Sequence, residues 1–132
     1  FDYIIVAVSD MDRSVRFYRD QMGLTLKFES KEWTEFQTGP TTLALHPARQ
    51  TRVEKTNSSE LVAGSCSLGL NVSDLEAIFK QLQSTGVPFV MNPTERVNEG
   101  IRLAVCLDPD GLPISIAQTL LPPKNEPLQV TP

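Results

Sequence analysis

The chain contains the same junction between a strand and a helix twice, as "VSDM" at Val8–Met11 and "VSDL" at Val72–Leu75. Each copy follows an alternating apolar stretch and precedes an apolar stripe with helical spacing. Three short strand-like stretches follow each helix. One such βαβββ unit would leave a sheet face and two edges uncovered. The repeat therefore predicts an α+β fold of two tandem βαβββ modules, forming a cupped mixed sheet with helices on the outer face.

The repeat also divides the chain into segments. With 132 residues it has the length of a single domain. We assign module one to residues 1–46, a polar linker to 47–64, module two to 65–119 and a Pro-rich tail to 121–132. Ser9 or Asp10 can cap the first helix, and Ser73-Asp74 begins the second. The predicted strands are Tyr3–Val8, Leu24–Glu29, Trp33–Gln37, Thr41–His46, Cys66–Val72, Pro88–Met91, Ile101–Leu107 and Leu112–Gln118.

Composition argues against several classes of protein. The net charge is −4 and no extended basic run exists, so nucleic-acid binding has little support. No run of about 18 apolar residues predicts a membrane helix. Cys66 and Cys106 form no closely spaced pair, which favours a reducing compartment, and we expect the cytoplasm. The first residue is Phe1 rather than Met, which is compatible with loss of a targeting segment.

Side-chain alternation divides each predicted strand into two faces. One face collects large aliphatic residues, and we place Leu103, Val105 and Leu107 there. The other collects small or polar residues, among them Ser67, Gly69, Ser115, Arg102, Ala104 and Cys106. Two interpretations of the second face are open. It is open to water, or the sheet curls and this face lines a ligand cavity.

Three side chains on the second face are candidate ligand contacts, and each has a plainer alternative. Trp33 can stack on a flat ligand or cover a sheet edge. Arg102 can bind a carboxylate or phosphate, or form a surface ion pair. His46 can bind a ligand or exchange a proton near neutral pH, or it is simply a partly exposed residue before Pro47.

Three phrases, "VSDMDRSVRFYRDQMGL", "EWTEFQTGPTTLALHP" and "DPDGLPISIAQ", resemble the vicinal oxygen chelate superfamily. That superfamily includes glyoxalases, methylmalonyl-CoA epimerase, extradiol dioxygenases and bleomycin-resistance proteins. The resemblance covers roughly Tyr3 to Gln118. It implies paired modules that form a cupped sheet around a small-molecule ligand, and it makes a homodimer plausible.

The resemblance also implies where a divalent metal would be bound. The matching positions hold Tyr3, Ala44, Ser67 and Ser115, and the chain has one histidine in all. Metals of this kind need imidazole, carboxylate or thiolate ligands. We therefore expect no cofactor, and a divalent metal is the disfavoured alternative.

The function expected from these residues is metal-free binding of a small molecule, with no catalytic residue assigned. One alternative is a glyoxalase- or epimerase-like lyase or isomerase with a non-standard centre. Another is a structural or regulatory module whose cup is filled by its own side chains. The predicted ligand contacts are Tyr3, Trp33, His46, Ser67, Arg102 and Ser115.

Overall fold

Two βαβββ modules make up the computed structural model, which describes residues 1–48, 63 and 65–120. The first contains β1 (Tyr3–Val8), α1 (Met11–Arg16), a π-helical turn (Phe17–Gln21), β2 (Thr25–Glu29), β3 (Thr34–Gln37) and β4 (Thr42–Pro47). The second contains β5 (Leu68–Asn71), α2 (Leu75–Ser84), β6 (Phe89–Arg96), a 3-10 turn (Val97–Glu99), β7 (Ile101–Leu107) and β8 (Pro113–Thr119). The predicted α+β fold with two tandem modules is confirmed.

Each module forms its own four-stranded mixed sheet, with strand orders β1-β4-β3-β2 and β5-β8-β7-β6. The first strand of each module runs parallel to the last, and the other pairs are antiparallel. No ladder joins β1 to β5 in the chain, so the two sheets remain separate. Strand β6 extends well beyond the predicted Pro88–Met91. In the later part of β6, apolar and polar side chains do not alternate, because the pairing register with β7 shifts between Met91 and Thr94.

The repeated junctions fold alike. Asp10 caps α1 by accepting a hydrogen bond from the Arg13 backbone N–H at 3.0 Å, and Asp74 caps α2 through Ala77 at 3.1 Å. Asp10, and not Ser9, is therefore the cap of the first helix. Gly23, just after the first helical segment, has φ +74, a backbone conformation that glycine adopts without strain.

The helix-facing sides of both sheets bury into one core. Large buried members come from both modules, including Phe36, Leu45, Leu75, Ile114 and Ile116. Because this core is shared, the opposite faces of the two sheets lie on the outside of the chain. Neither helix in the described part of the chain is long and apolar enough to cross a membrane.

The predicted division of strand β7 into faces is wrong. Val105 pairs with Ser115 and Leu103 with Ala117, so the large residues of β7 lie on the outer face. Ala104 and Cys106 are fully buried in the core, since small side chains leave room for the helix packed above them. Both residue sets of β7 contain apolar side chains, so alternation alone did not reveal which set faces inward.

The predicted linker and tail fall mostly outside the described residues. Strand β4 continues to Pro47, and the Ala48 N–H donates to the Val8 carbonyl at 2.8 Å. The first residues assigned to the linker are thus tied to the sheet. Residues 49–62, 64 and 121–132 are not described.

Candidate functional site

Three rings cluster on the outer face of the first sheet, and we call Tyr3, Trp33 and His46 the aromatic face. The Tyr3 and Trp33 ring centroids are 5.9 Å apart, and those of Trp33 and His46 are 6.2 Å apart. Both pairs meet nearly edge to face, a favourable arrangement for aromatic rings. The structure thus brings together three of the six residues that the sequence predicted as ligand contacts.

Strand register and one turn position these rings. Tyr3 pairs with Thr42, and Ala7 pairs with His46, so β1 and β4 place the Tyr and His rings on the same side. Trp33 precedes β3 in a tight turn made by Ser30. The Ser30 hydroxyl accepts from the Trp33 N–H at 3.0 Å and donates to the Trp33 carbonyl at 2.8 Å. The indole is therefore held by its backbone before any ligand arrives.

The aromatic face is surrounded by exposed apolar side chains. Tyr3 is 53% exposed, and Ile5 on the same face is 52% exposed. Phe28 is 51% exposed and lies on this side too, because it pairs with Glu35, which in turn pairs with Ala44. An exposed apolar surface of this kind is typical of a binding site. Alternation placed Ile5 on this face, but the sequence did not mark Phe28.

Ser115 lies on the outer face of the second sheet, away from the aromatic face. It pairs with Gly69 across β5 and β8. A Cβ atom added at Gly69 would have no neighbour within 4 Å, so the surface there is open. Ser67 comes just before β5 and lines a cavity of about 300 Å³ between the modules. Because the two sheets bury their other faces in one core, a single chain does not unite these serines with the aromatic face.

Arg102 is directed toward helix α2 and not toward the aromatic face. Its Nη2 atom lies 2.5 Å from a Glu76 carboxylate oxygen, and its Nε lies 4.0 Å from Glu95. Its partner across the strands, Gln118, accepts a hydrogen bond from the Leu75 N–H at the start of α2. Arg102 therefore makes an ion pair on the helix side of its sheet, which was the plainer of its two interpretations.

His46 is exposed, and its Nδ1 lies 2.8 Å from the Pro47 carbonyl oxygen. A protonated Nδ1 donates in this contact, which leaves Nε2 as a hydrogen-bond acceptor. Among the described residues no carboxylate forms an ion pair with His46. The ring can contact a ligand, but nothing around it marks it as a general base.

The residues at the positions implied for a metal do not fit one. Ala44 is fully buried and has no donor atom, while Tyr3, Ser67 and Ser115 offer only hydroxyl groups. Within the described residues, no group of three or more His, Cys, Asp or Glu side chains could hold a metal ion. We derive no chemical step through a metal here.

Sequence reasoning missed a polar contact that joins the modules. The Tyr18 hydroxyl donates to the buried Asp108 carboxylate at 2.8 Å, and Arg13 pairs with Asp110 at 3.2 Å. The Ser9 N–H and hydroxyl both donate to Asp110. Burial raises the pKa of Asp108 above its usual value, and burial together with this carboxylate raises that of Tyr18. The "DPDG" motif stands out in the sequence, but its carboxylates gave no signal of their partners.

Comparison with known proteins finds a matching family model and a similar bacterial protein. The family model of the Glyoxalase/Bleomycin resistance protein/Dioxygenase superfamily matches residues 1–116. A protein from Mycolicibacterium smegmatis, described as uncharacterized, is 26% identical over 109 residues, covering 82% of this chain and 84% of its own.

Two solved structures show the same architecture. A protein of unknown function from Agrobacterium tumefaciens has a TM-score of 0.71 at 28% identity, covering 91% of this chain and 94% of its own. A glyoxalase/dioxygenase from Nostoc punctiforme has a TM-score of 0.76 at 17% identity, covering 90% of each chain. The second likeness, at that identity, concerns the fold alone.

Proposed function

Because the chain belongs to the Glyoxalase/Bleomycin resistance protein/Dioxygenase superfamily, we propose that it binds a flat, partly apolar small molecule without a metal. The observation that carries the proposal is the aromatic face itself. Tyr3 lies at a position where a metal-binding relative would carry a ligand, and here it contacts Trp33 in an exposed aromatic cluster. Ring stacking and a few hydrogen bonds are sufficient to hold such a ligand.

The remaining wall of the site comes from a second copy of the chain. Among the strands of the described residues, β1 pairs with β4 alone and β5 pairs with β8 alone. A homodimer in which β1 of one protomer meets β5 of the other would bring the Ser67 and Ser115 side to the aromatic face. A two-fold dimer makes this pairing twice, so the edges at β1 and β5 are covered in both protomers. We place this dimer in the cytoplasm, where Cys66 and Cys106 stay reduced.

Trp33 is the chain's single tryptophan and provides a direct readout of ligand binding. A panel of flat aromatic and amphiphilic compounds is screened by thermal shift, and each compound that stabilises the protein is titrated against Trp33 fluorescence. We expect quenching, and we expect Tyr3→Ala to weaken binding about twofold to tenfold, since one aromatic contact contributes about 0.5–1.5 kcal/mol.

Two matched variants control this experiment. Tyr3→Phe keeps the ring and should bind as the wild type does. Val97→Ala removes an even more exposed apolar side chain from the 3-10 turn of module two and should have no effect. The proposal fails if no compound changes Trp33 fluorescence, or if Tyr3→Ala and Tyr3→Phe bind with the same affinity.

The dimer and the absence of a metal have separate tests. Sedimentation equilibrium should report twice the 14.6 kDa chain mass, and Ile5→Lys on β1 should give a monomer. A wild type that stays monomeric would remove the two-chain site while leaving the aromatic face testable.

Titration with Ni²⁺, Zn²⁺ or Mn²⁺ by calorimetry should show no tight metal site. A stoichiometric metal site would favour the lyase or isomerase alternative.

A further inference from the structure

A second concave site lies on the helix side of the molecule, where the first helix meets module two. This groove has a volume of about 380 Å³, which is within the range of small-molecule pockets. One wall carries Arg13, Arg16 and Gln21 from the first helical segment, and the other carries Val87 and Leu107. The aromatic face lies on the opposite side of the first sheet, so the two sites are separate.

The arginines leave donors free toward an anion. The Nη2 atom of Arg13 donates to the Ser9 hydroxyl and to Asp110 at 2.8 and 3.2 Å. Its Nε atom is buried and has no hydrogen-bond partner. Arg16 is exposed and forms no ion pair with any described residue. Arg16 thus presents an exposed guanidinium at the wall of the groove that Arg13 also lines.

The neighbouring carboxylates already have donors of their own. Asp110 accepts from the Ser9 N–H at 3.1 Å and pairs with Arg13. Asp108 is 4% exposed, and its oxygens accept from Tyr18 and from the Asp110 and Leu112 N–H groups. On the helix, Asp20 pairs with Arg19, and Asp12 lies one turn before Arg16 without an ion pair. The charge of Arg16 is therefore left without an ion-paired partner.

The floor of the groove is apolar. Phe17 and Val87 are each at least 95% buried and line the same groove as the arginines. Gly86 contributes no side chain, and a Cβ atom built there would have no neighbour within 4 Å. A ligand that fits combines a short apolar body with one negatively charged group.

We propose that this groove binds a small amphiphilic carboxylate, with its carboxylate on Arg13 and Arg16 and its hydrocarbon part on Phe17 and Val87. A carboxylate suits the planar, multiply donating guanidinium better than a neutral group of the same size. This proposal does not depend on the function proposed for the aromatic face.

Hexanoate and 1-hexanol form a matched pair of probes, because they share a chain length and differ in charge. Each is titrated into ¹⁵N-labelled full-length protein, and amide shifts are followed by NMR. We expect hexanoate to shift amides within residues 13–21, 86–88 and 107–110, and to bind at least threefold more tightly than hexanol. Arg16→Gln should weaken hexanoate about threefold to tenfold and leave hexanol unchanged.

Arg19→Gln is the control, because Arg19 is on the same helical segment and pairs with Asp20 outside the groove. It should bind hexanoate as the wild type does. Equal affinity of wild type and Arg16→Gln, equal affinity for the two probes, or shifts scattered outside the groove would each overturn the proposal. Tyr3→Ala separates the two sites. Its hexanoate affinity should be unchanged, and a loss would place hexanoate on the aromatic face.

Discussion

The two modules begin their helices in the same way and then use them differently. Asp10 and Asp74 cap α1 and α2 with nearly equal geometry. In the first copy Ser9, Arg13 and Tyr18 reach across to the "DPDG" turn of module two. The same repeat positions of the second copy hold Ser73, Ala77 and Leu82. The first helix therefore carries the polar contacts between modules, and the second packs through apolar burial.

This difference shows how a duplicated unit becomes asymmetric. A symmetric pair of apolar helices could slide, because hydrophobic contact has little directionality. The buried Tyr18–Asp108 hydrogen bond requires one relative position of the modules. With the helix sides fixed in this way, the aromatic face of module one and the outer face of module two, which carries Gly69 and Ser115, both remain outside.

Leu82→Ala should produce the largest effect among these tests, because Leu82 is 2% exposed and part of the shared core. Deleting a buried leucine side chain costs about 2–5 kcal/mol in unfolding free energy. Urea denaturation measures it. The neighbouring Ile78→Ala, on a partly buried side chain, should cost less. A Leu82→Ala cost below that of Ile78→Ala would contradict apolar packing as the role of the second helix.

Tyr18→Phe should have the next largest effect. The substitution keeps the ring, which lies 6.0 Å from that of Phe36, and removes only the hydroxyl donated to Asp108. Leaving a buried carboxyl without this donor should cost about 1–3 kcal/mol in urea denaturation. Tyr3→Phe is the control and should stay within about 0.5 kcal/mol of the wild type, because Tyr3 is exposed. Equal losses in the two variants would contradict the contact between modules.

Ser9→Ala and Ser73→Ala form a matched pair at equivalent positions of the repeat. Ser9 donates twice to Asp110, whereas Ser73 is exposed and its hydroxyl makes none of the hydrogen bonds found in the described residues. We expect Ser9→Ala to lower the unfolding free energy by about 0.5–1.5 kcal/mol, and Ser73→Ala to change it by less than about 0.5 kcal/mol. A measurable loss in Ser73→Ala alone would reverse the comparison.

The sequence predicted the features that are encoded locally. The two modules and a polar cap before each helix follow from short motifs whose chemistry acts within a few residues, although the sequence left Ser9 and Asp10 both open for the first helix. The faces of β8 also followed, because Ile114 and Ile116 are plainly larger than Ser115 and Ala117. The face assignment of strand β7 was wrong, because Leu103 and Ala104 are both apolar. Only the pairing of β7 with β8 shows which of them faces the core.

The candidate site was predicted in part for the same reason. Tyr3, Trp33 and His46 cluster because strands β1 and β4 and the turn before β3 bring them together, which alternation anticipates in part. Arg102 was assigned to the wrong side along with its strand, and it pairs with Glu76 on α2. Phe28 lies beyond a register shift in β2, which alternation cannot locate. The hydrogen bond between Tyr18 and Asp108 forms only when the two modules pack together, so the sequence around each residue shows no pattern that predicts it.

Asp108→Asn should have the smallest effect and concerns pH. Burial raises the pKa of Asp108 in the folded chain, so the folded state holds this proton more tightly than the unfolded state does. The contribution of Asp108 is then most favourable below its ordinary pKa of about 4 and declines as pH rises above that value. Asn keeps the shape and an acceptor for the Asp110 and Leu112 N–H groups, and its NH₂ can donate to the Tyr18 oxygen.

The comparison needs unfolding free energies of both proteins between pH 4 and pH 8. Asp108→Asn should lie within about 1 kcal/mol of the wild type at pH 4, where one hydrogen-bonded group replaces another. Its stability relative to the wild type should increase toward pH 8, because only the wild type then ionises a buried carboxyl. A difference that stays constant across this range would show that Asp108 does not titrate differently in the folded and unfolded states. The polar contact between modules would then be independent of pH.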